Sequence, residues 1–150
     1  MGMTTPDRWP TRSVLVASFI PAGSSVIDLG AGAGGLEDRL PPGCAYTPAD
    51  QPAFDMNKGK WPEGEYDVAV MTGVLEYARF PAAVLRHLSE LAPTAIVTYA
   101  HSPKRSAEWI NDLSPEEFTE LAGKAGYQAE QVGTWKAPHI HAQAVWRLTR

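Results

Sequence analysis

The pattern of apolar and polar positions predicts short buried strands that alternate with amphipathic helices. Near-continuous apolar runs are typical of parallel strands covered on both faces, and here they end at glycine, proline or acidic residues. The predicted strands cover residues 26–29, 45–49, 66–72, 94–99, 127–134 and 143–148.

Helices are predicted at residues 11–19, 80–91 and 115–125, and a much shorter helical stretch begins at Leu36. The last of the long helices has clear end signals. Ser114 is its N-cap, Pro115 takes the first helical position, Glu117 the capping-box position and Gly126 the C-cap. Strands alternating with helices indicate an α/β fold, and the length predicts a single domain over residues 1–150.

Composition narrows the functional classes. Hydrophobic residues make up 44% of the chain, which favours a packed core over disorder. A net charge of −4 without any run of Lys or Arg argues against nucleic acid as the partner. The single Cys44 leaves no internal disulfide and fits a reducing compartment. Residues 1–10 lack a signal-peptide pattern and no apolar run approaches the ~20 residues of a membrane span, so we expect a cytoplasmic protein.

A glycine-rich turn follows the first strand, in the run Val26-Ile27-Asp28-Leu29-Gly30-Ala31-Gly32-Ala33-Gly34-Gly35. A strand, a glycine turn and a helix start bring backbone N–H groups and a positive helix end against a ligand. Gly30, Gly32 and Gly35 match the dinucleotide pattern G-x-G-x-x-G, and Asp50 follows about 20 residues later. Asp28 favours another ligand, because a carboxylate there would repel a pyrophosphate and suit an amino group or a sulfonium.

The same run resembles motif I of the class I S-adenosylmethionine-dependent methyltransferases: an apolar pair, an acid, an apolar residue and G-x-G-x-G. A second stretch, Tyr66-Asp67 leading through Gly73-Val74-Leu75-Glu76-Tyr77, resembles motif IV of small-molecule members. The resemblance covers about residues 11–148. It implies a Rossmann-like, mostly parallel sheet whose last strand is antiparallel, with S-adenosyl-L-methionine as the cofactor.

The resemblance also implies the site residues. Asp50 would bind the ribose hydroxyls, and Asp55 would lie near the adenine. The whole implied cofactor site is Asp28, Gly30, Ala31, Gly32, Gly34, Asp50, Gln51, Asp55, Gly73, Val74 and Leu75. His101 is the candidate general base and Tyr77 a candidate substrate contact. His139 and His141 form an H-x-H pair, but no companion cluster supports a metal site.

The chain departs from the family after Asp50. Only residues 51–54 separate Asp50 from Asp55, whereas a parallel crossover needs about a dozen or more. We therefore predict that the family's third strand is trimmed and that the helix before it is missing. The strand at 45–49, or a short piece around Phe54, becomes the sheet edge, which suits Pro48. The adenine side would be open, walled by Phe54, Asp55, Met56 and Trp61, and a homodimer could cover it.

Three functions stay open at this point. The first is a methyltransferase acting on a small-molecule acceptor that the sequence does not identify. The second is a catalytically silent S-adenosylmethionine-binding protein or partner subunit of the same fold, because the chain is so trimmed. The third is a nicotinamide-dependent enzyme, against which Asp28 and the turn at residues 73–77 both argue.

Overall fold

One six-stranded sheet forms the centre of the computed structural model, which describes residues 8–32, 35–102, 106–137 and 141–150, with backbone alone for residues 8–10. Its strands are β1 (Ser25–Leu29), β2 (Ala45–Ala49), β3 (Val68–Met71), β4 (Thr94–Tyr99), β5 (Gln128–Trp135) and β6 (Gln143–Thr149). The helices of the described chain are α1 (Arg8–Ala17), α2 (Pro81–Leu91) and α3 (Pro115–Lys124).

The strand order is β2-β1-β3-β4-β6-β5. Strands β1 to β4 pair in parallel, and β6 runs antiparallel to both β4 and β5. This confirms the predicted fold class. The carboxyl ends of β1 to β4 therefore meet the end of β5 and the start of β6 at one edge of the sheet, here called the ligand edge, where open α/β sheets bind ligands.

Each strand divides its side chains between two apolar layers, because successive residues point to opposite faces. Val26, Ile96 and Val145 pack with α1 on one face. Ile27, Val97 and Trp146 pack with α2 and α3 on the other. The α3 helix begins as predicted: Ser114 Oγ accepts the Glu117 N–H while the Glu117 carboxylate accepts the Ser114 N–H.

The short helical stretch predicted after the glycine turn is present as one 3-10 turn, Glu37–Arg39. Pro41 and Pro42 follow directly and prevent its extension. A single turn aligns too few peptide dipoles to give a strong positive helix end.

The trimmed edge is confirmed. Residues 51–53 form turns, the Asp55–Lys60 bridge and the 3-10 turn Met56–Lys58 follow, and β2 is the terminal strand. The Ala45 N–H and the Ala49 carbonyl both bond toward β1. Because backbone N–H and C=O groups alternate in direction along a strand, those of residues 46 and 48 point away from β1, and proline offers no N–H donor there. This edge is a poor template for pairing with a second copy, and the homodimer stays a prediction.

Two further expectations are corrected or limited. Phe54 is buried at 4% exposure and packs edge-on against Trp61, so it belongs to the core and does not wall an open adenine pocket. Met56 and Trp61 line a cavity of about 280 Å3 against α2, and its lining among the described residues includes none from the glycine turn. No helix among the described residues is long and apolar enough to cross a membrane.

Candidate functional site

The turns after β1 and β3 meet at the ligand edge. Gly30 has φ +82°, and a Cβ placed on it would lie 2.6 Å from Cγ2 of Val74. Gly73, at φ +66°, is held by its N–H, which donates to Thr98 Oγ1 at 2.8 Å. The structure thus brings together two segments that the sequence resemblance assigned to one cofactor site.

The backbone amides of the glycine turn bond to β2. The Gly30 and Ala31 N–H groups donate to the Ala49 carbonyl at 2.8 and 3.3 Å. Gly32 N–H donates to Asp50 Oδ2 and Gln51 N–H to Asp50 Oδ1, each at 2.9 Å. Asp50 therefore fixes the turn as well as facing the ligand edge, a role that sequence reasoning missed.

Space for a ligand lies next to Gly32. A Cβ placed there would meet nothing within 4 Å, although its φ of +56° favours glycine. Gly34, which the sequence resemblance also assigned to the cofactor site, lies outside the described residues.

Asp28 is buried on the α1 face of the sheet, at 4% exposure. Its Oδ2 accepts the Tyr46 hydroxyl at 2.7 Å, because the parallel register places Tyr46 diagonally across from it on the same face. Burial raises the pKa of Asp28, while the Tyr46 bond and the charge of Arg12 oppose that rise and Asp50 adds to it. Burial and the bond to Asp28 raise the pKa of Tyr46 in turn.

Arg12 lies on α1, against the sheet face that carries Asp28. The sequence analysis did not single it out. Its Nη1 would be 2.8 Å from a Cβ on Gly73 and donates to Gln143 Oε1 at 3.2 Å. Burial lowers the pKa of Arg12, and the carboxylates of Glu76 and Asp28 oppose that change. The alternation of residues along the strands could have indicated that these polar side chains share one face of the sheet. Asp28, Thr98 and Gln143 all fall on the α1 face near the ligand edge.

Glu76 ties the β3 turn to the chain beyond β4. It is 1% exposed, and its Oε2 accepts the Ala100 N–H at 2.8 Å. Its carbonyl accepts the Ile110 and Asn111 N–H groups at 2.9 and 3.3 Å. Asn111 Nδ2 donates to the carbonyls of Leu75 and Ala78, both at 2.8 Å. The motif IV glutamate is thus a cross-link that positions the turn.

Asp55 and Tyr77 are joined through Asn57. Asp55 Oδ1 caps the 3-10 turn by accepting the Asn57 N–H at 3.2 Å, and Asn57 Nδ2 donates to the Tyr77 carbonyl at 2.9 Å. These contacts place the segment after β2 beside the turn after β3. The Asp55 carboxylate is thus engaged at the start of the 3-10 turn. Its adenine role stays a prediction.

Both ring nitrogens of His101 are engaged. Trp146 Nε1–H donates to His101 Nε2 at 3.1 Å, and His101 Nδ1 lies 2.8 Å from the Leu113 carbonyl. Because the indole only donates and the carbonyl only accepts, the ring is neutral with its proton on Nδ1. This arrangement favours a structural role, and the assignment of His101 as a general base stays a prediction.

Comparison with known proteins supports the α/β fold described above. The sequence model of a family described as a methyltransferase domain matches residues 7–132. The chain belongs to this methyltransferase family. No curated protein sequence matches it.

Solved methyltransferases share the architecture. The magnesium protoporphyrin IX methyltransferase of Synechocystis PCC 6803, crystallised with bound S-adenosylhomocysteine, aligns at TM-score 0.67 and 14% identity over 97% of this chain and 84% of its own. The 1,6-didemethyltoxoflavin-N1-methyltransferase of Burkholderia thailandensis aligns at 0.68 and 16%, over 97% and 80%. Mitomycin 7-O-methyltransferase aligns at 0.70 and 17%, over 94% of this chain and 54% of its own. At these identities the likeness shows the fold.

Metal chemistry gains no support from the described residues. Within residues 8–32, 35–102, 106–137 and 141–150, no three His, Cys, Asp or Glu side chains are grouped to hold an ion. His139 lies outside these ranges, and His141 Nδ1 lies 3.2 Å from Ser102 Oγ.

Proposed function

We propose that this methyltransferase domain, a single unit over residues 1–150, binds S-adenosyl-L-methionine at the ligand edge and transfers its methyl group to a small molecule. The observation that carries the proposal is the junction of the two turns, where Gly30 lies against Val74 and the Gly32 N–H donates to Asp50. The solved relatives crystallised with S-adenosylmethionine or S-adenosylhomocysteine support the choice of cofactor.

The residues present fit this cofactor. Each Asp50 oxygen accepts one backbone N–H, and a carboxylate oxygen has a second acceptor position for a ribose hydroxyl. The open space next to Gly32 leaves room for the ligand's close approach. The acidic residues Asp28 and Asp50 suit a ligand that carries an amino group and a positive sulfur.

When bound, S-adenosylmethionine supplies a methyl group on a positively charged sulfur, which is already electrophilic. The chain's own contribution is therefore alignment: Asp50 and the turns after β1 and β3 would hold the donor in place. A base is needed only for an acceptor that arrives protonated.

A cavity at the same edge of the sheet supports a small acceptor. It has a volume of about 330 Å3, and its lining includes His101, Ser102, Gln131 and Thr134, none of them an acid or a strong base. The size falls in the range of small-molecule sites. A neutral acceptor, rather than a nucleic acid, is accordingly part of the proposal. A cytoplasmic location is a separate part of it, supported by the single Cys44.

Titration calorimetry with S-adenosylmethionine, S-adenosylhomocysteine and NAD tests the donor. We expect the first two to bind and NAD to give no heat. Release of S-adenosylhomocysteine over pools of phenols, amines, thiols and sugars then tests transfer. Donor binding without any turnover would favour the catalytically silent alternative, and binding of NAD alone would refute the proposal.

A further inference from the structure

Ser102 and His141 form a polar pair beside the cavity proposed for the acceptor. Ser102 Oγ lies 3.2 Å from His141 Nδ1, and Ser102 also lines the cavity of about 330 Å3. We propose that the acceptor is a phenol and that this pair takes the proton of its hydroxyl during methyl transfer. This inference rests on the function proposed above and adds to it the chemical class of the acceptor.

The cavity offers few destinations for a proton. Its described lining contains one titratable side chain, His101. Both ring nitrogens of His101 are already engaged, one by an indole N–H and the other by a backbone carbonyl. The remaining polar side chains of the described lining are hydroxyls and an amide, which do not hold an extra proton near neutral pH. Among these groups, Ser102 leads to a second imidazole, that of His141.

The contacts of His141 suit a proton acceptor. With its own proton on Nε2, a neutral imidazole accepts at Nδ1, and a serine hydroxyl can donate to it while its oxygen accepts from a ligand. The centre of the Trp109 ring lies 5.0 Å from that of the imidazole, at an interplanar angle of 59°, and holds it in place beside Ser102. Neither Ser102 nor Trp109 carries a charge that would compete for the proton.

Backbone hydrogen bonds tie this region to the turn after β3, where the donor would lie. Ser102 follows closely after Ala100, whose N–H donates to Glu76 Oε2 at 2.8 Å. Trp109 precedes Ile110, whose N–H donates to the Glu76 carbonyl at 2.9 Å. The same residue of the turn therefore anchors the segment that carries Ser102 and the segment whose indole contacts His141.

The proposed step balances in atoms and charge. The phenol oxygen forms a bond to the methyl carbon as the carbon–sulfur bond breaks, and the electron pair of that bond stays on sulfur. The phenol proton passes to Ser102 Oγ while the Ser102 hydroxyl proton passes to His141 Nδ1. The products are an aryl methyl ether, a neutral thioether and a protonated imidazole, which then returns the proton to solvent.

Acidity explains the choice of a phenol. The ordinary pKa of a phenol, about 10, lies about 3.5 units above that of an imidazole, so proton transfer between them is within reach as the oxygen is methylated. An aliphatic hydroxyl is comparable to water, with a pKa of about 15.7, and lies about 9 units above the imidazole. The described cavity lining is neutral and includes Pro115 and Ala144, which suits an aromatic ring.

The test follows the ionisation of a bound phenol by absorbance. The probe is 4-nitrophenol, which absorbs at longer wavelength once its proton has left, and it is titrated with pH on the full chain, with and without S-adenosylhomocysteine. We expect the pKa of the bound probe to fall at least about one unit below that of the free probe, because a protonated imidazole stabilises the phenolate. His141→Gln and Ser102→Ala should each abolish this shift. Both variants should still bind 4-nitroanisole, which has no proton to lose.

His87→Gln is the matched control, since His87 lies on α2 and stacks on Trp61. It should keep the wild-type shift. A bound probe that ionises like the free one in the wild-type chain would overturn the inference, as would a full shift in His141→Gln or no binding of 4-nitrophenol at all. If His141→Gln does not fold, a full shift in Ser102→Ala overturns it instead. Failure to bind S-adenosylhomocysteine, with the shift present, would be a failure of the proposed function alone.

Discussion

Val74 occupies the position that a side chain on Gly30 would need: a Cβ there would lie 2.6 Å from Val74 Cγ2. The two residues belong to turns that are far apart in sequence, after β1 and after β3. Their contact joins the two halves of the candidate cofactor site, and substitutions at this point test the junction directly.

Gly30→Ala should destabilise the protein for two reasons. The φ of +82° costs an L-residue about 1–2 kcal/mol. The clash with Val74 adds about 1–3 kcal/mol of overpacking. Denaturant unfolding should show that Val74→Ala, added to Gly30→Ala, recovers the second part only. Gly32→Ala is the control, because it has the strain without the clash. Equal costs for the two glycines would contradict the contact.

Gly32→Val should abolish binding of S-adenosylhomocysteine while the fold persists. A valine at this position meets no protein atom at its Cβ, so its branches fill the space that the ligand needs. Calorimetry gives the affinity and circular dichroism checks the fold. Wild-type affinity in a folded variant would remove the glycine turn from the site.

Asp50→Ala should weaken S-adenosylhomocysteine by about 1.5–3 kcal/mol, the range for hydrogen bonds to a charged group. It should also loosen the turn, because the Gly32 and Gln51 N–H groups lose their acceptor. Asp50→Asn keeps one acceptor oxygen and should lose less. An unchanged dissociation constant in Asp50→Ala would mean that another residue binds the ribose.

The pH dependence of stability should differ in sign between two carboxyl groups. Burial raises the pKa of Asp28, so the folded state holds its proton more strongly than the unfolded chain. Stability contributed by this group therefore falls as pH rises from the ordinary carboxyl value of about 4 through the raised folded value. Unfolding measured at several pH values should show Asp28→Asn gaining on the wild type over that window.

Glu117 provides the opposite case. Hydrogen bonds from the Ser114 backbone and side chain lower its pKa. Its contribution is present above the unfolded pKa of about 4.3 and is lost as pH falls through the lowered folded value. Glu117→Gln should therefore lose ground to the wild type as pH rises. Parallel trends for the Asp28 and Glu117 variants would contradict the buried position of Asp28.

Trp146→Phe should test whether His101 is structural. The substitution removes the donor to the partly buried His101 Nε2 and should cost about 1–3 kcal/mol of unfolding free energy, the cost of a polar group left unsatisfied. Affinity for S-adenosylhomocysteine should not change. If methyl transfer instead rises or its pH profile shifts while stability holds, the released nitrogen acts on protons and His101 is the base.

The sequence by itself determined the features that depend on local chain chemistry. The strands at 45–49 and 94–99 were predicted with the observed bounds, and the capping box at Ser114 formed as expected. The loss of the crossover after Asp50 was also a local matter, because residues 51–54 cannot reach across a sheet in any fold.

Tertiary structure decided what the side chains do. Phe54 and Asp55 are adjacent in sequence, yet one is core and the other caps a turn, because burial depends on what α2 and Trp61 present to them. His101 in a loop resembled a base until packing placed Trp146 and Leu113 on its two nitrogens. Arg12 joined the site only because α1 crosses the face that carries Asp28 and Gln143. Such contacts join residues distant along the chain, and no spacing between neighbours encodes them.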